Sequence, residues 1–254
     1  MNANWPKPAT SSSLLNKSLT LHEKNKINYK LRIYSSQEID LSDDAIEIKT
    51  IDPLIVKGLG FKIFQSDLHS VVNCEKLNDN IINFYLNLLC NSIDSFKAFS
   101  IDSILINKIL STDLRGITKC FEKLNNSCYQ LIFFPLFIHT NHWSLLIFNT
   151  SKKTISFDDS LFKIDLNFVK KITTKLSKYV TSLKSCSDWP VLSSFNYPQQ
   201  IDNDTDWRVF LCQYAKYHAF NRSFDFTQSD ILSKRIEIAN EIRKFEINSI
   251  LQHD

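Results

Sequence analysis

Hydrophobic positions along the chain follow two different periods, which predict a mixture of helices and strands. An uninterrupted apolar run at 130–138, QLIFFPLFI, is typical of a strand buried in the centre of a sheet. Proline at position 135 indicates a bulge or a sheet edge within that strand. Two further runs, 142–148 and 153–160, flank a short polar turn and predict a β-hairpin.

Other segments repeat their apolar residues with the period of a helix. Residues 61–67, FKIFQSD, alternate instead, which predicts a short strand ending in a polar turn. Asp79 and Asp206 stand where they could interact with the first N–H groups of helices, Asp206 as an N-cap. The predicted helical stripes are Ile81, Ile82, Phe84, Tyr85, Leu88 and Leu89; Val169, Ile172, Leu176 and Val180; Phe210, Tyr214 and Tyr217; and a final amphipathic helix over 231–250.

The hairpin brings two chemically suggestive residues together. If Phe148 faces Lys153, the register sets His142 opposite Asp159. A carboxylate that holds one ring nitrogen of a histidine leaves the other nitrogen free as a base, as in a catalytic triad. Asp158 is the alternative acid, but strand alternation sends it to the opposite face.

Composition narrows the function classes. The 254 residues, 43% of them hydrophobic, suit one domain with a tail, and no apolar run reaches the ~18 residues of a membrane span. The N-terminus lacks the apolar core of a signal peptide, so we expect an intracellular protein, nuclear or cytoplasmic. Six cysteines without a C-x-x-C pair indicate free thiols rather than a zinc site, and only three glycines argue against a phosphate-binding loop. We therefore expect no metal, no cofactor and no membrane partner.

The basic character belongs to the N-terminal region. Residues 1–32 carry six Lys or Arg against one acid, whereas the whole chain has a net charge of +3. We predict a flexible basic tail over 1–45 and a folded domain over 46–254. The tail is either a solvated arm or a weak nuclear-import or polyanion-contact segment. No specific nucleic-acid partner is expected.

The segment 198–218, PQQIDNDTDWRVFLCQYAKYH, predicts a polar loop that runs into a helix. Trp207 directly follows the expected N-cap, at the end of a helix where partial positive charge gathers. A thiol there would have a lowered pKa and would be a nucleophile. The indole of Trp207 cannot attack a carbonyl carbon.

This segment resembles the nucleophile segment of the SENP/Ulp family of SUMO-specific cysteine proteases, Pro-Gln-Gln-x-Asn-Gly-x-Asp-Cys-Gly followed by an apolar helix. Trp207 stands at the position of the catalytic cysteine and Arg208 at the position of the following glycine. The loop 201–206 is one residue longer than in the family and lacks its Asn-Gly turn. The matching residues are Pro198, Gln199, Gln200, Asp206 and Cys212.

Three other segments carry the same resemblance in the same order: KLNDNIINFYLNLL at 76–89, His-Trp and Asp-Ser on the hairpin, and NRSFDFTQSD at 221–230. Lys76 replaces a tryptophan that in the family helps to roof the tunnel for the substrate's terminal Gly-Gly. The resemblance implies that His142, Asp159 and Gln200 are the remnants of a triad and its oxyanion donor. It also implies a substrate tunnel formed by Trp143, Lys76, Asp79 and Arg208.

The resemblance implies an α+β, papain-like cysteine-protease fold with a central mixed sheet flanked by helices. The function we predict is a catalytically inactive pseudo-protease that binds SUMO or a related ubiquitin-like protein, and with it sumoylated proteins, without cleaving them. One alternative is an interaction scaffold with no ubiquitin-like partner. Another is a peptidase that uses Cys212, which would lie ~140° around the helix and ~7.5 Å along it from Trp207. Trp207 itself could either plug the place of the scissile bond or only fill space.

Overall fold

The computed structural model describes residues 52–110, 116–138, 142–161, 165–192, 197–201 and 205–248. The predicted tail at 1–45 and the centre of the loop 201–206 lie outside these ranges. Among the helices that are described, none is long and apolar enough to cross a membrane.

Short strands and helices alternate along the domain. The strands are β1 (Leu54–Gly58), β2 (Phe61–Phe64), β3 (Ala98–Ser100), β4 (Leu131–Ile138), β5 (His142–Asn149), β6 (Thr154–Asp158) and β7 (Val191–Leu192). The helices are α1 (Gln65–Val72), α2 (Asp79–Asn91), α3 (Ser103–Leu110), α4 (Thr118–Asn125), α5 (Leu166–Tyr179), α6 (Trp207–Ala219) and α7 (Ile231–Lys244).

Five strands form a mixed sheet in the order β3-β4-β5-β6-β7. The central strands β4, β5 and β6 are antiparallel, whereas β3 and β7 pair in parallel at the two edges. Strands β1 and β2 form a separate antiparallel hairpin. The sheet has the mixed character that the sequence predicts.

Alternate residues of β5 point into two different hydrophobic cores. Trp143, Leu145 and Ile147 pack with α2, α6 and α7, whereas Leu146 and Phe148 pack on the side of α3, α4 and α5. Helices therefore cover both faces of the sheet, which is why seven of the eight β5 residues are buried. Every residue of the predicted stripes in α2 and α6 is buried, as expected.

Two local predictions at the start of the domain need correction. The segment 61–67 is a strand only as far as Phe64, because α1 begins directly at Gln65. Helix α2 is capped by Asn78, whose side chain accepts a hydrogen bond from the Ile81 N–H at 2.9 Å. Asp79 is instead the first helical residue, where its charge still favours the helix N-terminus.

The hairpin register also differs from the prediction. Phe148 pairs with Ile155 rather than with Lys153, and Asn149 closes the strands opposite Thr154. The turn starts one residue later because Asn149 accepts a hydrogen bond from the Lys152 N–H. Lys153 then ends the turn with a positive φ of 52°. Moving the turn by one residue on each strand leaves every side chain on its predicted face.

Pro135 marks an edge rather than a bulge. Its strand β4 pairs with β5 in unbroken register, Pro135 lying opposite Leu145. The parallel partner β3 reaches only as far as Phe133. Proline is tolerated at position 135 because the described part of β3 presents no acceptor there.

A buried ionic cluster joins α2, α6 and α7. Lys216 Nζ lies 2.6 Å from Glu241 Oε1 and 2.5 Å from Glu237 Oε1. The hydroxyl of Tyr85 donates to the other oxygen of Glu241 at 2.8 Å. Lys216 and Glu241 are almost fully buried, so removal of Lys216 would leave the Glu241 carboxylate without its cation in the core.

Candidate functional site

His142 and Asp159 meet at one end of the sheet. The histidine begins β5, and Asp159 follows the last residue of β6. Nε2 of His142 lies 2.9 Å from Oδ2 of Asp159, and both residues are buried. The predicted contact is therefore present, although the observed register makes it diagonal across the strands. With Nε2 donating to the carboxylate, Nδ1 is the nitrogen that can accept a proton.

The Asp159 carboxylate is held by three donors. Burial disfavours its charge, but hydrogen bonds from His142, from the Ser144 hydroxyl at 2.6 Å and from the Leu161 N–H at 2.7 Å outweigh that effect. The pKa of Asp159 is consequently lower than that of a free aspartate. The carboxylate stays ionised and fixes the orientation of the imidazole.

Asp158 faces the other side of the sheet, as strand alternation predicts. Its Oδ2 lies 2.8 Å from Nε2 of His218, near the end of α6. The angle is outside hydrogen-bonding geometry, so the contact is between charges or dipoles rather than a hydrogen bond. Asp158 is therefore occupied elsewhere and takes no part in orienting His142.

Trp207 stands beside His142. It is the first residue of α6 and is 2% exposed. The centroids of its ring system and of the His142 ring are 5.8 Å apart, at an interplanar angle of 54°. An aromatic side chain thus fills the space between the N-terminus of α6 and the imidazole.

Arg208 lies over two indoles. Its guanidinium carbon is 4.3 Å from the ring centroid of Trp207 and 5.7 Å from that of Trp143. Both distances are within the range of cation–π contacts. Burial lowers the pKa of Arg208, and the nearby charge of Asp79 acts in the opposite direction. Among the described residues, Arg208 forms no ion pair within 4 Å.

Gln200 lies on the Asp159 side of the site. Its backbone N–H donates to the carbonyl of Ser160 at 3.1 Å, and its side-chain oxygen accepts from the Ser160 hydroxyl at 3.3 Å. Gln200 is buried, whereas the next residue, Ile201, is exposed. Gln200, the residue expected as the oxyanion donor, is therefore held by hydrogen bonds against Ser160, the residue that follows Asp159.

Lys76 and Asp79 are both exposed. Lys76 lies just before α2, and Asp79 is the first residue of that helix. Of the predicted tunnel residues, Arg208 lies over Trp143 and is near enough to Asp79 to feel its charge. The loop 201–206 is described only at Ile201 and from Thr205 onward.

Arg235 of α7 is a positioning residue that the sequence analysis missed. Its guanidinium donates to Asp206 Oδ1 at 2.8 and 3.1 Å and to the carbonyls of Val71 and Glu75 at 3.2 and 3.0 Å. Arg235 thus joins the start of α6 to the segment that carries Lys76. Asp206 occupies the N-cap position, but its carboxylate accepts hydrogen bonds from Arg235 and Gln228 and does not cap the helix. The signal was a charged residue within the apolar stripe Ile231, Arg235, Ile238 and Ile242.

The thiol of Cys212 does not belong to the site. It is fully buried within the core formed by α2, α6 and α7. Burial raises its pKa well above the ordinary value, and the charge of Glu241 adds to the effect. Within the described residues, no three His, Cys, Asp or Glu side chains come together as metal ligands.

Comparison with known families agrees with this geometry. The family model for the Ulp1 protease family, C-terminal catalytic domain, matches residues 75–247. The chain belongs to the Ulp1 protease family. The matched range contains each of the site residues described above, and the predicted family is confirmed.

Curated relatives are similar over the same region. A sentrin-specific protease of Caenorhabditis elegans is 24% identical over 196 residues, which are 74% of this chain and 28% of that protein. Human sentrin-specific protease 5 is 27% identical over 179 residues, 69% of this chain and 23% of that protein. The chain therefore spans about a quarter of the length of these relatives.

Solved structures share the fold. The yeast Ulp1 protease domain, solved in complex with Smt3, the yeast orthologue of SUMO, superposes with a TM-score of 0.66 at 21% identity, covering 91% of this chain and 98% of that one. The Ulp1-like SUMO protease domain of Chaetomium thermophilum gives 0.64 at 16% identity, with 91% and 92% covered. The predicted α+β protease fold is thereby confirmed.

Proposed function

We propose that this Ulp1-family domain binds SUMO or a related ubiquitin-like protein without cleaving it. The observation that carries the proposal is the side chain of Trp207, which packs against His142 where the family pattern has its nucleophile. The imidazole retains its carboxylate partner but has no thiol to deprotonate. Loss of a triad's nucleophile leaves only the residual catalysis of the oxyanion donors and of binding.

A peptidase that uses Cys212 is disfavoured by the burial of that thiol. A nucleophilic cysteine needs a lowered pKa and access to substrate. Cys212 has a raised pKa and no exposed surface. Its position supports a packing role in α6.

Exposed apolar side chains next to the site favour a protein partner. Ile201 is 61% exposed and follows Gln200, and Leu161 is 38% exposed and lies two residues after Asp159. Phe137 is 42% exposed and packs against Trp143, with ring centroids 5.4 Å apart and the rings tilted by 51°. Large exposed apolar groups that border a site are typical of protein-binding surfaces. They support a protein partner at this face.

The direct test combines a cleavage assay with a binding assay. The protein is incubated with a SUMO C-terminal fluorophore conjugate beside an active Ulp1 domain, and SUMO binding is measured by calorimetry. We expect no turnover and measurable binding. Turnover that His142→Ala abolishes would overturn the proposed inactivity, and absence of binding to every SUMO-family protein would overturn the proposed partner.

A pair of variants tests the binding face. Ile201→Asp should weaken SUMO binding, because it places a charge in the apolar border of the site. Ile104→Asp is the matched control. Ile104 is equally exposed, at 63%, but it lies on α3, which packs on the opposite face of the sheet from α6. Equal affinities for the two variants would contradict the assignment of the face.

A further inference from the structure

Trp143 and Arg208, which lie against each other at the site, each have a hydrogen-bond donor without an acceptor among the described residues. The indole N–H of Trp143 is buried and has no hydrogen-bond partner in the part of the chain that the structure describes. Nε of Arg208 is buried and unpartnered within the same ranges. Trp143 is 2% exposed, so its N–H gains no compensating water at the surface. A buried donor without an acceptor costs free energy, which an incoming acceptor would recover.

The same place also carries a positive charge that forms no ion pair among the described residues, although the charge of Asp79 acts on it from a greater distance. Arg208 lies against two indoles, and within the described residues no carboxylate comes within ion-pair distance of it. The positive end of the α6 dipole points to the same region, since Arg208 is the second residue of that helix. Asp206 cannot serve as the counter-ion, because Arg235 and Gln228 hold its oxygens.

These features suit one ligand class. A carboxylate supplies a full negative charge and two acceptor oxygens, and a guanidinium binds it with two parallel hydrogen bonds. A neutral amide offers one oxygen and no charge. Because Trp207 packs against His142, we expect the site to favour a chain that ends at this carboxyl group over one that continues beyond it.

We propose that Arg208 and Trp143 form a receptor for the free C-terminal carboxylate of the bound ubiquitin-like protein. The inference rests on the proposed function and names which form of the partner the site selects. The flexible Arg208 side chain turns from the indole faces toward the entering carboxylate, and the Trp143 N–H donates to the second oxygen. The domain would then hold mature, unconjugated partner and reject the same protein once its C-terminus is an amide.

The experiment compares two forms of one ligand. A mature SUMO-family protein is prepared with its free terminal carboxylate and, by thioester aminolysis, with a terminal amide. We expect the acid to bind the full-length chain at least about tenfold more tightly than the amide, as is typical of a hydrogen bond to a charged group. The preference should decrease as salt is added.

Two arginine variants separate this site from general charge effects. Arg208→Gln should bind the acid and the amide equally. Arg222→Gln should keep the preference, because Arg222 also has a buried unpartnered Nε but lies beyond the opposite end of α6. Equal affinity of the wild-type chain for acid and amide would overturn the carboxylate receptor and leave the proposed function standing.

A second readout needs no folded partner. A short peptide ending in Gly-Gly is added with a free or an amidated terminus while the indole N–H resonances are recorded. The Trp143 signal, assigned as the indole N–H resonance that disappears in a Trp143→Phe variant, should move downfield with the acid only. If no SUMO-family protein binds, the proposed function is overturned; an unmoved Trp143 signal overturns the receptor independently.

Discussion

Arg235 and Asp206 form a buried two-pronged ion pair, with both hydrogen bonds ending on the same carboxylate oxygen at 2.8 and 3.1 Å. Nη1 also donates to the carbonyls of Val71, in the last turn of α1, and of Glu75, before α2, and Nη2 donates to the carbonyl of Thr205. One side chain thereby sets the spacing between the start of α6 and the segment that leads to Lys76. These two segments carry Arg208 and Lys76, two of the residues predicted to form the substrate tunnel.

Removal of that side chain should destabilise the domain strongly. Arg235→Met keeps the volume but leaves Asp206 buried without its cation, at a cost of about 3–5 kcal/mol. Urea unfolding followed by circular dichroism measures the loss. Lys244→Met, an exposed position on the same helix, is the control and should change stability little. A loss of less than about 1 kcal/mol for Arg235→Met would show that the pair is dispensable.

The His142–Asp159 contact should contribute to stability whether or not the site is active. Asp159→Ala leaves the donors of His142, Ser144 and Leu161 without their acceptor, at about 1–3 kcal/mol. We expect the melting temperature to fall by several degrees in a domain of this size. Asp94→Ala, which removes an exposed carboxylate, is the control. An unchanged melting curve for Asp159→Ala would contradict a structural role.

The same carboxylate predicts a defined pH dependence. Its pKa is lower in the folded chain than in the unfolded chain, so the unfolded chain takes up the proton first. The stabilisation is therefore complete above the unfolded value of about 3.9 and is lost as the pH falls through the lower folded value. The stability difference between wild type and Asp159→Asn, from urea titrations, should shrink below about pH 4. A difference that grows on acidification would show the opposite shift.

Restoring the nucleophile alone should not restore activity. In Trp207→Cys the thiol would lie at the helix N-terminus near His142 and could ionise. Arg208 would still obstruct the site, and the longer loop 201–206 would still misplace Gln200, where an error of ~1 Å can cost ~100-fold. We expect turnover of a SUMO–fluorophore conjugate only when Arg208→Gly and a one-residue loop deletion restoring Asn-Gly are added. Lys76→Trp should increase it further.

Labelling by a SUMO vinyl-sulfone probe reports on the same variants independently of turnover. The single variant should react slowly and the combined variant quickly, whereas wild type should not react. Robust turnover by Trp207→Cys alone would show that the site is still arranged for catalysis. If the variant that combines all of these changes shows neither turnover nor probe labelling, further obstacles to catalysis must lie at residues other than those named.

Periodicity and motif order predicted the family, the mixed sheet and the face of each hairpin residue. The exact register could not be read from the sequence, because the side chain of Asn149 rather than the strand pattern decides where the turn begins. The side chain that bonds the first turn of α2 belongs to Asn78, next to the Asp79 considered in the sequence, and the sequence does not separate the two because both residue types can cap a helix.

Contacts between segments that are distant in the chain could not be predicted from the sequence either. Arg208 reads as a substituted glycine, and nothing local indicates that its guanidinium would lie over Trp143, 65 positions earlier in the chain. Arg235 reads as one charge in a helix, and its partner lies 29 residues away. Long-range pairing of this kind depends on how the helices pack, which periodicity does not encode.

The ionic cluster of Lys216, Glu241 and Tyr85 fastens α6 more than two turns away from its first residue. The helix therefore has one anchor in the domain that does not involve positions 207 and 208. With that anchor in place, a substitution at the first residues of α6 can leave the far end of the helix where it is. An old catalytic scaffold can in this way be inherited intact and given a different task, one substitution at a time.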